Sequence, residues 1–251
     1  MKIKASTEEA KPDAVAVIDP PHETALEKPA AHMKVGAMAG EFTRDDFRLP
    51  RINVVQAVGP LSEDFKPGTI LLNKELELVA ASTDPKEWTE PLELVVLNAR
   101  KQFRENIEFD GDKQPRVLDT LAEVEKNGGW IDWRNDEKPP WSPMLTALLL
   151  VKARTEAHAE QFGIPGPDGA QYEMALWTMT GVAFSKAGKA IMTAGTYSLN
   201  NKETGEPMLH LGRWHLQVRR EKLGTNLVYV PRLQSVGKND AEFVKFAEGL
   251  L

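Results

Sequence analysis

Cysteine is missing from all 251 residues. Disulfides, thiolate metal centres and cysteine nucleophiles are therefore excluded. Long apolar runs are missing too: no window approaches the ~18 consecutive apolar residues of a bilayer span. The first lysines of MKIKASTEEAKPD are followed by no apolar leader core. A soluble, cytoplasmic protein without membrane contact is the expectation. GxxxxGK[ST] and GxGxxG phosphate loops do not occur, nor does a GxSxG nucleophile elbow. The five histidines contain no HExxH pair, and His210 and His215 are five residues apart rather than one helical turn. FDGDK (Phe109 to Lys113) starts like a calcium loop but lacks the later ligand positions, so it reads as a solvated turn. No cofactor, metal or catalytic group is expected. Carboxylates gathered from distant positions, as in a metal-dependent nuclease, would leave no such motif.

Acidic residues outnumber basic ones, 37 against 31, for a formal net charge of −6. That balance argues against global attraction to nucleic acid or anionic membrane, though not against a local patch. Residues 1–47 mix Pro, Ala, Glu and Lys without a sustained apolar period and read as a disordered, acidic arm. A short helix over Glu41 to Phe47 is its one candidate element. Residues 48–251 read as a single domain.

That domain is punctuated by turns. Arg51 to Val58 is rich in β-branched residues and runs into Gly59-Pro60. A Pro67-Gly68 turn, a strand over Thr69 to Leu72, an Asn73-Lys74 turn and a strand through Val79 follow. Leu92 to Asn98 is a further strand, continued by ARKQFREN. Val117 to Lys126 reads as a helix stopped by Asn127-Gly128-Gly129. MLTALLLVKAR after Ser142-Pro143 fits either a capped helix or a buried strand. Gly163 to Gly169 is a loop, Tyr172 to Phe184 a strand, and Ser185 to Ala194 a helix. NNKETGEP is a turn, RWHLQVRR and Leu227 to Pro231 are strands, and Asn239 or Asp240 caps a closing helix with Phe243, Phe246 and Ala247 inward. The domain is thus mainly β with two or three helices, without the strand–helix alternation of a doubly wound sheet.

Charge is segregated along the chain. Between Pro207 and Asn239 the cations are Arg213, Arg219, Arg220, Lys222, Arg232 and Lys238, against one acid, Glu221. In RWHLQVRR, strand alternation sends Trp214, Leu216 and Val218 to one face and Arg213, His215, Gln217 and Arg219 to the other. The basic face is either an ordinary solvated surface or a groove for a polyanion. Single-strand binding needs cations along phosphates and flat aromatic surfaces for bases. Trp130 and Trp133 in loops are candidate platforms, as is Tyr229; Trp177 and Trp214 in strands read as core. Arg100, Lys101, Phe103 and Arg104 form a second basic–aromatic cluster.

The order of these motifs resembles the single-stranded DNA-binding proteins of tailed bacteriophages. The resemblance rests on LPRINVVQ (Leu49 to Gln56), the Pro67-Gly68 turn with its strand, WTMTGVAFSKAGKAIMTA (Trp177 to Ala194), the strand Trp214 to Val218, and Asn226, Tyr229 and Pro231. It covers roughly Arg48 to Leu251. It implies an OB-like barrel with added strands, non-catalytic coating of single-stranded DNA in phage replication or recombination, and partners among phage replication or recombination proteins. Lys186 and Lys189 would then lie on a helix near the groove. Arg100, Arg104, Lys186, Lys189, Arg213, Arg219 and Arg220 would meet phosphates, and Trp130, Trp133 and Tyr229 would stack on bases. The closing helix is short and amphipathic rather than an acidic tail, which departs from many such proteins. A virion or scaffold protein that inserts its arm into a neighbour fits the same features.

Overall fold

The computed structural model describes residues 49–107 and 114–251. The arm, with the candidate helix over Glu41 to Phe47, and the FDGDK turn lie outside them.

Three short strands come first: β1 (Ile52–Val54), then, after the one-turn helix α1 (Leu61–Asp64), β2 (Ile70–Leu72) and β3 (Leu76–Val79). Asn73 and Lys74 both take positive φ, 54° and 67°, the backbone a two-residue hairpin turn demands. The main body then follows as β4 (Leu92–Glu105), β5 (Val117–Leu118), α2 (Leu121–Lys126), β6 (Trp141–Lys152), α3 (Glu156–Gln161), β7 (Ile164–Pro165) and β8 (Gln171–Thr180). Next come α4 (Gly181–Ala183), a π-helical turn (Phe184–Gly188) and α5 (Lys189–Tyr197). A 3-10 turn (Leu209–Leu211) leads into β9 (Gly212–Leu223), β10 (Asn226–Lys238) and α6 (Ala241–Glu248).

The mainly β expectation holds, with corrections in detail. Val117 does not begin a helix. Val117 and Leu118 pair with Arg104 and Phe103, and the helix starts after Thr120, whose side chain and Glu123 cap each other reciprocally. MLTALLLVKAR resolves as strand, because β6 lies between β4 and β8 and is covered on both faces. The strand expected through Phe184 stops at Thr180, where Gly181 at φ 50° turns the chain into the helix. β10 runs to Lys238, well beyond Pro231, because pairing with β9 carries the polar stretch Gln234 to Lys238 along.

The large sheet has the order β10-β9-β4-β6-β8-β7, with β5 beside β4. Its main path, β10-β9-β4-β6-β8 with a helix between β8 and β9, is the connection expected of an OB-type barrel. Closure is not found: among the described residues β8 and β10 do not pair. The three-stranded sheet β1-β2-β3 fills the gap instead. On one side the Leu176 N–H donates to the Pro50 carbonyl at 2.8 Å. On the other, the Gln56 side chain imitates a strand partner of β10. Its amide nitrogen donates to the Tyr229 carbonyl at 3.0 Å, and its oxygen accepts from the Tyr229 N–H at 3.1 Å. Gly68 permits the approach, since a Cβ there would stand 2.7 Å from the Tyr229 ring, and φ is +99°.

The inner face of the sheet carries the main core. Leu92, Leu94, Val96, Leu149, Trp177, Trp214 and Leu216 pack with Ile70 and Leu78 of the small sheet and with Phe184, Ala187 and Ile191 of the helical segment. The outer face is covered in its middle by α6, whose Phe243 and Ala247 seat on Val95, Leu97, Leu148, Leu150, Met174 and Leu176.

Removing the Gln56 amide leaves the Tyr229 backbone groups without their partner. Gln56→Ala should lower unfolding free energy by about 1–3 kcal/mol, read from the urea midpoint. A wild-type midpoint would show that the seam does not depend on this side chain.

Candidate nucleic-acid interface

The alternation anticipated for RWHLQVRR is present. Trp214, Leu216 and Val218 are buried, while Arg213 is exposed and His215, Gln217 and Arg219 are partly so. β9–β10 register adds Arg232 and Gln234 to the same outer face, opposite Gln217 and His215. Arg220 goes to the other side, opposite Tyr229. The basic strip therefore contains Arg213, His215, Gln217, Arg219 and Arg232 but not Arg220. From Arg213 to Arg219 it measures about 20 Å at strand rise.

Trp88, which sequence reasoning passed over, anchors its far end. The loop before β4 lies along β9: Arg220 N–H donates to the Pro85 carbonyl at 2.8 Å and Thr89 N–H to the Val218 carbonyl at 2.9 Å. The Thr89 hydroxyl accepts from the Val218 N–H at 3.1 Å, and Gln217 donates to the Thr89 carbonyl. This holds the half-buried indole of Trp88 beneath two guanidinium groups, with Arg219 at 4.3 Å and Arg232 at 5.2 Å from its ring centre. Arg219 also pairs with Glu221 at 2.8 Å, and Arg232 donates to Gln234. The signal for Trp88 was available: an indole in a polar, proline-started loop, like Trp130 and Trp133.

The other anticipated residues divide. Arg100 and Arg104 point to the same outer face, beyond the ground covered by α6; Arg100 is paired with Asp119 at 2.5 Å. Lys101 and Phe103 point to the inner face. Phe103 is buried with Val124 and Trp141 and presents no ring to a base, contrary to its inclusion in the cluster. A strand's alternation splits the four candidates between two faces. Trp133 is 68% exposed. Trp130 is half-buried, its ring 5.2 Å from the Arg134 guanidinium. Trp141, Trp177 and Trp214 are core. Lys186 and Lys189 are exposed on the helical segment packed against β10. Tyr229 is half-buried over Gly68 beside Gln56, so its ring is committed to the seam.

Where the strip meets α6, a cleft of about 570 Å³ opens, lined by Glu93, Lys152, Asp168, Tyr172, Arg213, His215, Lys238 and Asp240 among others. Lys152 reaches Asp168 at 3.0 Å and Glu93 at 3.7 Å. The Tyr172 hydroxyl donates to Asp168 at 2.9 Å. Burial opposes ionisation of Asp168, but the Lys152 and Tyr172 hydrogen bonds outweigh it and hold the carboxyl below its usual range. Burial, then Asp168, push the Tyr172 hydroxyl up. A smaller cavity of about 180 Å³ beside Leu72 and Phe162 is lined by Glu75 and Glu173 and by no cation, so it suits no polyanion.

Among the described residues no three His, Asp or Glu side chains stand close enough to hold a metal ion. Among them, too, no helix is long and apolar enough to cross a membrane. Comparison with known protein families, curated proteins and solved structures finds no match.

Because the folded state lowers the Asp168 pKa, its stabilisation is present at neutral pH and lost as pH falls through about 4 and below. Asp168→Asn should destabilise at pH 7 by less than about 1 kcal/mol, as water screens this exposed pair. The difference from wild type in urea midpoint should shrink as pH is lowered below 3.8, the value of the free carboxyl. A constant difference across that range would show that the effect is not electrostatic.

Proposed function

We propose that the protein binds single-stranded DNA without catalysis, in the host cytoplasm, as the resemblance to phage single-strand binders implies. The observation that carries this reading is the outer face of the β9–β10 hairpin. There Arg213, His215, Gln217, Arg219 and Arg232 share one strip that ends on Trp88 beneath two guanidinium groups. Cations that track a backbone beside an aromatic surface are what sequence-tolerant single-strand binding requires. The OB-type strand order is consistent with it.

The strip explains how an acidic chain can bind a polyanion. Formal charge is negative in sum, but phosphates within a Debye length of about 10 Å respond to the local field. Arg219 and Arg232 would contact phosphates while keeping Trp88 in place, and Arg213 would contact a phosphate further along. Gln217 and His215 would add hydrogen bonds between them. Trp133, on the β4–β6 connection and 68% exposed, is a further ring for stacking. Partners from phage replication or recombination belong to the same proposal.

Fluorescence anisotropy with labelled oligo-dT should show binding near 50 mM salt, weaker binding to duplex, and affinity that falls linearly with salt on a logarithmic scale. Arg232→Ala should reduce that slope by about 0.7, one single-strand phosphate contact. Trp88→Ala should cost about 1–3 kcal/mol of binding. Equal affinity for duplex, or no binding at low salt, would sink the proposal.

A further inference from the structure

The strip does not run on across the sheet. Beyond Arg213 and His215 the outer face of β4 turns apolar at Val95 and Leu97, and α6 covers it with Phe243 and Ala247. Arg100 and Arg104 lie on the far side of that helix. A strand laid along the hairpin from Trp88 therefore meets an end wall, and the 570 Å³ cleft is what it meets.

The donors of the cleft are unequally engaged. Three carboxylates and three cations line it, so it is neutral in sum before His215 is counted. The carboxylates have partners: Glu93 and Asp168 share Lys152, and Asp240 accepts from the Phe243 N–H at 2.8 Å as the cap of α6. Arg213 and Lys238 have no carboxylate within ion-pair distance among the described residues, and His215 has none either. Arg213 lies across the β10 bulge, where Gly237 leaves room: a Cβ there would stand 3.4 Å from its guanidinium. Arg213 and Lys238, at the adjoining ends of the two strands, both line the one cleft. Two uncommitted cations at a dead end suit a group with more charge than an internal phosphodiester carries. A terminal phosphate monoester, at about −1.5 to −2 near pH 7, is such a group.

Resting on the single-strand reading above, we infer that this cleft is an end-binding site, in which Arg213 and Lys238 hold the phosphate monoester of a strand terminus or of a free nucleotide. Val236, exposed at the rim, gives the terminal sugar or base an apolar contact.

The test compares oligo-dT bearing a 5′-phosphate, a 3′-phosphate or neither, together with thymidine monophosphate measured alone by calorimetry. One phosphorylated end should bind about tenfold tighter than the unphosphorylated strand, the size of a charge-assisted contact. Arg213→Gln combined with Lys238→Gln should abolish that preference. Arg213 also belongs to the strip, so the double variant weakens the unphosphorylated strand as well, and the readout is the ratio between the two strands. Lys238→Gln alone, outside the strip, should lower that ratio and leave the affinity for the unphosphorylated strand largely unchanged. Thymidine monophosphate that binds as tightly as the phosphorylated strand, and loses binding in the double variant, makes a free nucleotide the ligand. Equal affinity of all three strands with no heat from the nucleotide overturns the cleft and leaves single-strand binding standing. Nucleotide binding that the double variant loses, with no strand bound at all, overturns the single-strand reading and leaves the cleft.

Discussion

The central strand β6 presents Leu145, Ala147, Leu149 and Val151 to one side and Leu148 and Leu150 to the other, and neither side meets water. Each fully buried Leu or Val is worth about 1.5–3 kcal/mol over leaving it exposed. Two covers are therefore required. The small sheet and the segment from α4 to α5 supply one, and α6 supplies the other. The surface follows from this. With its middle closed by α6, the outer face of the sheet has polar ground only at its margins, and the basic strip occupies one of them.

The seam between the small sheet and β10 is a second consequence. A five-strand barrel would close by pairing β8 with β10. Here Pro50 and Arg51, just before β1, meet the β8 edge at Leu176, and a side-chain amide at Gln56 takes the β10 edge at Tyr229. A primary amide carries both a donor and an acceptor, so it can occupy one backbone pairing position, where an apolar residue would leave Tyr229 unpaired. The same contact fixes Tyr229 over Gly68. That accounts for why an aromatic in a basic hairpin faces inward, while Trp88 from a distant loop supplies the ring on the outer face.

Much of the fold was legible. Turn residues located the β2–β3 hairpin, and alternation in RWHLQVRR assigned the faces of β9. The Asn239-Asp240 pair marked the start of α6, and Asp240 proves to be the cap. Three features were not legible, each for its own reason. MLTALLLVKAR has no period because both of its faces are buried, so helix and strand look alike until β4 and β8 are placed beside it. Arg100, Lys101, Phe103 and Arg104 read as one cluster along the chain, but the pleat puts Arg100 and Arg104 on one face and Lys101 and Phe103 on the other. Trp88 became part of the interface only when the Thr89–Val218 hydrogen bonds laid its loop along β9.

The sequence by itself determined the mainly β class, the segregation of positive charge into Pro207 to Asn239 and the polar face of β9, since these follow from composition and a period of two. The tertiary structure decided whether the barrel closes, which indoles reach the surface, and where the basic strip stops. Those depend on contacts between residues up to 173 positions apart, such as Gln56 with Tyr229. Periodicity records which face a side chain takes, but not what comes to cover that face.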